Sequence, residues 1–191
     1  MAGAVILARH GEPALSRRVI LTAAGYREWW ARYEQGGLKA GQAPPPSLLA
    51  ITRAADTVVS STRERSIQSA RAIAEGRDVR SDPLFVEAPL PSPLLPAWFR
   101  LSPRWWGVLS RFCWWAFNFH DGQESRAEAE ARARQAAKDL ADRAAAGEEV
   151  VLVAHGFFNA MIGRALAARG WRKTLDQGFR YWSARRFEPP R

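Results

Sequence analysis

Apolar positions along this chain fall into short unbroken runs that alternate with longer periodic stretches. Ala4–Ala8 (AVILA) is a continuous run rich in branched residues, the pattern of a strand buried on both faces. Asp56–Ser61 (DTVVSS) and Glu149–Ala154 (EVVLVA) repeat it. The stretches between carry helical start and stop signals. Thr22 is read as the N-cap of a helix running to about Gln35, with Gly36 and Gly37 as its stop. Pro44–Pro46 is a rigid connector, and Ser47 is expected to cap a second short helix before Asp56. Thr62–Glu75 predicts a helix closed by Gly76, and Gly156–Arg169 one ending at Gly170. Glu124–Ala146 predicts a long surface helix in which Glu128 and Arg132, Glu130 and Arg134, and Asp139 and Arg143 are spaced to pair at i,i+4. Phe85 and Val86 are expected to form a brief extended piece, and Gly178–Phe187 an edge strand.

Strands alternating with helices predict an α/β fold: a three-layer α/β/α sandwich with a mostly parallel central sheet. For 191 residues of which 47% are hydrophobic, one domain spanning 1–191 is the default. One block departs from the alternation. Ala88–Phe119 holds five of the nine tryptophans, four prolines before Trp98 and no acidic residue. Residues 88–120 are therefore read as an aromatic-rich insertion.

Charge narrows the partners. The 28 Lys+Arg against 19 Asp+Glu give a formal charge of +9, which favours anions: nucleic acid, acidic lipid or a phosphorylated small molecule. The basic residues are spread along the chain, without the clustered run or module of a nucleic-acid binder, so no nucleic-acid partner is expected. Cys113 is the single cysteine, which rules out a disulfide or a cysteine zinc cage within one chain. It is read as a buried, inert thiol. The start MAGAVILARHGEP lacks the succession of basic leader, long apolar region and cleavage site, so a cytoplasmic location is expected. Trp105–Phe119 is interrupted by Arg111 and falls short of the ~20 residues of a membrane span. Peripheral contact of 98–119 with a membrane surface, and pairing of two copies, are left open.

The chemistry concentrates at strand ends. His10 and His155 each follow a predicted strand and precede a glycine, which delivers both imidazoles to the sheet edge where ligands bind in open α/β folds. Arg9 adjoins His10, and Arg65 lies one helical turn beyond the second strand. Two arginines and two histidines around one cavity make a receptor for a dianion, since guanidinium forks match phosphate oxygens. No metal or other cofactor is then required. A Gly-rich phosphate loop with its lysine and an Asp cluster for Mg²⁺ are both missing. A neutral imidazole can instead act as the nucleophile. His120 is read as a loop residue, and Glu124 and Ser125 as capping residues.

These motifs resemble the histidine phosphatase superfamily, also called the phosphoglycerate mutase-like family. Arg9-His10-Gly11-Glu12 follows one strand, Ser61-Thr62-Arg63-Glu64-Arg65-Ser66 leads into Ser69-Ala70, and Val153-Ala154-His155-Gly156 follows the last strand. Leu21-Thr22-Ala23-Ala24-Gly25 matches a helix start common in members, and the order holds over roughly residues 4–170. The resemblance implies a phosphomonoester hydrolase with His10 as the phosphorylated nucleophile and Arg9, Arg65 and His155 as the phosphate pocket. It implies Glu87 as the acid that protonates the leaving alcohol, and Ser16 at a phosphate-contacting position where members often have Asn. It also implies that residues 88–120 roof the site as a lid. The helix motif departs from Ser-x-Leu-x-Arg-Ala-x-x-Thr-Ala, with Arg63 at the Leu position, so Arg63 stays a rival to Arg65. A mutase-like phosphotransferase, a phosphohistidine-protein phosphatase and a catalytically silent anion-binding scaffold are the alternatives.

Overall fold

The computed structural model describes residues 3–190. A six-stranded sheet is built from β1 (Val5–Arg9), β2 (Thr57–Ser61), β3 (Val79–Asp82), β4 (Val150–Ala154), β5 (Arg172–Asp176) and β6 (Ala184–Glu188). Their order is β3-β2-β4-β1-β6-β5. The pairings β3-β2, β2-β4 and β4-β1 are parallel, whereas β6 runs antiparallel to β1 and β5 antiparallel to β6. Central strands β1 and β4 are apolar on both faces because both faces are covered.

On one face pack α5 (Arg126–Ala145) and α6 (Gly156–Ala168), enclosing Val5, Leu7, Leu152, Phe158 and Ile162 with the alanine stripe Ala129, Ala133, Ala136, Ala137 and Leu140. On the other lie α2 (Pro46–Thr52) and α3 (Glu64–Ala74), enclosing Ile6, Ala8, Leu48, Val58, Ile73 and Val151. The sandwich thus has the expected three layers. A third cluster stands apart, where α1 (Ala23–Gln35) supplies Tyr26, Trp29 and Tyr33 to meet Trp106 of α4 (Pro103–Phe117).

Thr22 caps α1 by accepting from the Gly25 N–H, and the helix stops at Gly36 as expected. Several details differ from the sequence reading. Helix α2 is capped by Pro45 with Pro46 in its first turn, so Ser47 lies inside it. Residues 83–85 form a 3-10 turn, and the strand on this side is β3, just before it. Strand β6 is internal, and the edge is β5. In α5 the expected i,i+4 pairs give way to others. Glu128 closes a capping box with Ser125, while Arg132 turns back to Glu124 at 2.6 Å and to the carbonyls of Leu84 and Val86. Glu124 is therefore an ion-pair partner rather than a cap. Its helix is amphipathic, with the alanine face fully buried.

The Trp-rich block divides its aromatic residues between core and surface. Trp106 and Trp114 are fully buried and donate their indole N–H to the carbonyls of Leu21 and Glu124. Cys113 is only partly buried, one helical step from that buried face, and desolvation raises its thiol pKa. Among the described residues, no helix is long and apolar enough to cross a membrane.

Candidate active site

Parallel pairing of β1 with β4 aligns their carboxyl ends, and the His10 N–H donates to the Ala154 carbonyl at 3.0 Å. This register brings the two sequence-predicted histidines together, with ring centroids 5.2 Å apart at 65°. Both are buried.

His10 has a defined tautomer. Its Nδ1 lies 2.7 Å from the Gly11 carbonyl, which can only accept, so Nδ1 carries the proton and Nε2 keeps its lone pair. Burial, then Arg65 and Arg9, hold its pKa well below the ordinary 6.5, which keeps the ring neutral. The turn at Gly11 is fixed by its N–H donating to Ser69 Oγ at 2.9 Å. A Cβ at Gly11 would come within 2.5 Å of the Trp182 ring, so only glycine fits there.

His155 is held on both sides. Nε2 lies 2.8 Å from Ser61 Oγ at the end of β2, and Nδ1 faces Arg65 Nη2 at 3.5 Å. Because a guanidinium can only donate, Nδ1 is the acceptor and Nε2–H points to the serine. Burial, then His10 and Arg65, keep this imidazole pKa well below 6.5 as well.

The structure separates the two rival arginines. Arg65 is fully buried beside His155, whereas Arg63 is the half-exposed N-cap of α3. Arg65 Nη1 donates to the Tyr33 carbonyl at 2.8 Å and Nη2 to Glu34 Oε1 at 2.9 Å, with its guanidinium 4.6 Å from the Tyr33 ring centroid. The end of α1 thus offers its carbonyls and a carboxylate to one buried cation, as the helix dipole favours. Arg63 takes the other oxygen of Glu34.

Arg9 passes over Gly156, where a Cβ would lie 3.2 Å from its Nε. It stacks 4.3 Å from the Tyr181 ring and donates to the Phe179 carbonyl. Among the described residues, the Nε–H groups of Arg9, Arg63 and Arg65 are buried without a partner. Three unmatched cationic donors at one edge suit an anion.

Arg9 and Gly156 also line a cavity of about 440 Å³ in which Glu87 is the single acidic residue, facing Arg17, Arg104 and Arg111. Glu87 Oε1 accepts from the N–H groups of Phe158 and Ala88, at 2.9 and 3.1 Å, so its carboxylate caps α6. Arg111 lies 3.8 Å from the Phe157 ring centroid; burial lowers its pKa, and Glu87 opposes that effect. The Ser16 hydroxyl accepts from the Arg18 N–H, and the residue lines a neighbouring 530 Å³ cavity with Arg17, Arg18, Lys39 and Tyr181.

The model of the histidine phosphatase superfamily (branch 1) matches residues 5–181, nearly the whole chain. The chain belongs to the histidine phosphatase superfamily. Among solved structures, this histidine phosphatase family member resembles a mycobacterial glucosyl-3-phosphoglycerate phosphatase at 23% identity and a TM-score of 0.55, with 87% of this chain and 80% of that one covered. It also resembles a phosphoserine phosphatase from Entamoeba histolytica at 17% identity and a TM-score of 0.56, again over 87% and 80% of the two chains. Comparison with curated proteins gives no match.

Sequence reasoning missed Glu34, Tyr33 and Tyr181. Glu34 reads as an ordinary helix-end acid, and its partners are about 30 positions away. Tyr181 lies in an irregular tail whose proximity to His10, with ring centroids 5.8 Å apart, depends on the antiparallel return of β6.

Proposed function

We propose that this protein hydrolyses small phosphate monoesters through a covalent phosphohistidine on His10, with no metal in the reaction. The observation that carries the reading is the neutral His10 ring, whose Nδ1–H is committed to the Gly11 carbonyl and whose Nε2 keeps its lone pair, with Arg65 and Arg9 close enough to disfavour its protonation. Membership of the superfamily supports it, as do similar folds among phosphatases of a glucosyl-phosphoglycerate and of phosphoserine.

In this mechanism Arg9 and Arg65 hold the phosphoryl oxygens. The 3.5 Å contact between Arg65 and His155 is the longest in the network, so the Arg65 Nη2–H is the donor most readily turned to a phosphoryl oxygen. Nε2 of His10 attacks phosphorus, the ester P–O bond breaks, and the departing oxygen takes a proton from Glu87. Water then attacks the phosphohistidine, giving its proton to Glu87 as the P–N bond breaks. Inorganic phosphate leaves and neutral His10 is restored. Developing charge is met by fixed guanidinium donors rather than by reorganising solvent. Residues 88–120 serve as the lid, since Arg104, Gly107, Val108 and Arg111 of α4 line the cavity beside Glu87.

Acid-labile, base-stable labelling tests the covalent step. Quenching the enzyme during turnover of a phosphate-labelled ester should leave label on the peptide containing His10 and none on His10→Ala. Label on a serine peptide, or none under turnover, contradicts the mechanism.

A further inference from the structure

The face of α4 turned away from the core is apolar and uncovered. Trp106, Ser110 and Trp114 face inward, while Trp105, Val108 and Phe112 recur along the opposite side at helical spacing, and 58%, 54% and 57% of each is exposed. Phe117 continues the stripe at 72%, with its ring 5.7 Å from that of Phe112. Trp98 and Leu94, just before the helix, are exposed at 80% and 77%. The bridge between Leu21 and Leu101 brings exposed Ile20 alongside. So large a set of exposed aromatic and aliphatic side chains in one region is unusual for a surface that meets only water.

Charge decides what covers it. Residues 88–119 contain Arg100, Arg104 and Arg111 and no carboxylate. Arg17, Arg18, Arg100 and Arg104 are exposed and form no ion pair among the described residues. An apolar stripe of Trp and Phe in a segment whose charged residues are all arginines suits the interface of an anionic bilayer, where rings enter the headgroup boundary and guanidiniums meet lipid phosphates. A second copy would bring the same unpaired arginines against each other across a two-fold contact.

We propose that this protein docks on anionic lipid bilayers through the outer face of α4 and the segment around Trp98. Docking in this orientation brings the membrane surface to Val108, an exposed residue of the stripe that also lines the cavity holding Glu87. The proposal does not rest on the hydrolytic mechanism, because none of Trp98, Trp105, Phe112 and Phe117 lines the cavity that holds Glu87.

Co-sedimentation with vesicles tests it, using phosphatidylcholine alone and phosphatidylcholine mixed with phosphatidylglycerol. The whole protein should partition at least about tenfold more strongly to the anionic vesicles, and the preference should fall as salt rises. His10→Ala should bind like the wild type. A variant carrying Trp98→Ser, Trp105→Ser, Phe112→Ser and Phe117→Ser should lose binding while keeping its circular dichroism spectrum. Quenching of wild-type tryptophan fluorescence by anionic vesicles with brominated acyl chains gives a readout free of any variant. No sedimentation with anionic vesicles at low salt, or no quenching, overturns the proposal. So does a dimer in sedimentation equilibrium that the four substitutions dissociate, which would assign the stripe to a second copy.

Discussion

Glu34 holds Arg65 on one carboxylate oxygen at 2.9 Å and Arg63 on the other. One largely buried acid at the end of α1 thus sets the position of the buried guanidinium that faces His155. Charge-assisted hydrogen bonds of this kind contribute ~1.5–3 kcal/mol each. Glu34→Gln should therefore lower kcat/KM for p-nitrophenyl phosphate about 10–100-fold, and Glu34→Asp should lower it less. Steady-state kinetics check this, and an unchanged kcat/KM in Glu34→Gln would show that Arg65 needs no such support.

Arg65 and Arg63 should separate cleanly on substitution. Arg65 is buried against His155, whereas Arg63 caps α3 half-exposed. Arg65→Ala should cost about three orders of magnitude in kcat/KM, and Arg63→Ala about tenfold or less. The reverse order would reassign the phosphate arginine.

The stability of the folded chain should depend on the two buried histidines. Both are held well below 6.5, His10 by burial, Arg65 and Arg9, and His155 by burial, His10 and Arg65. As pH falls below 6.5 the unfolded chain takes up protons that the folded chain refuses, so this contribution to stability is whole above that pH and is lost on acidification. The urea midpoint should drop between about pH 7.5 and about pH 5.5, and His10→Gln should flatten the slope by up to ~1.4 kcal/mol per pH unit. An equal slope in the variant would mean that His10 protonates normally in the fold.

Glu87 has two duties that can be told apart. It lines the cavity as its single acid and caps α6 through the N–H groups of Phe158 and Phe157. Glu87→Gln should slow hydrolysis of alkyl phosphates far more than of p-nitrophenyl phosphate, whose phenolate leaves without a proton. It should also cost ~1 kcal/mol of stability from the weakened cap. Equal losses on both substrates would leave only the capping role.

The two faces of α4 should respond differently to truncation. Trp106→Ala should destabilise by ~3–5 kcal/mol, because the ring is fully buried against Tyr26 and Phe99 and its indole N–H satisfies the Leu21 carbonyl. Trp105→Ala, on the exposed face, should stay within ~0.5 kcal/mol. Thermal unfolding of the two variants measures the contrast.

What the sequence disclosed follows from where each element lies. Strands β1, β2 and β4 were legible because burial on both faces makes them continuous apolar runs. Strands β3 and β5 were not, since edge strands such as Val79-Arg80-Ser81-Asp82 keep polar side chains in water. Helix α4 was hidden by the abundance of Trp and Phe on both its faces. Its inward positions 103, 106, 110 and 114 show the helical period only once the buried set is known. In the site, His10, His155, Arg9 and Arg65 stand out because each lies at the end of a strand or within the first turn beyond it. Glu34 and Tyr181 arrive by tertiary packing from the end of α1 and from the loop before β6, which no local pattern encodes.

Hydrolysis of p-nitrophenyl phosphate in the presence of EDTA, compared between wild type and His10→Ala near neutral and mildly acidic pH, tests the phosphohistidine mechanism most directly. Turnover by the wild type that survives EDTA and vanishes in His10→Ala is the expected result. Wild-type turnover abolished by EDTA and restored by a divalent metal, or residual turnover in His10→Ala close to the wild-type rate, would contradict it.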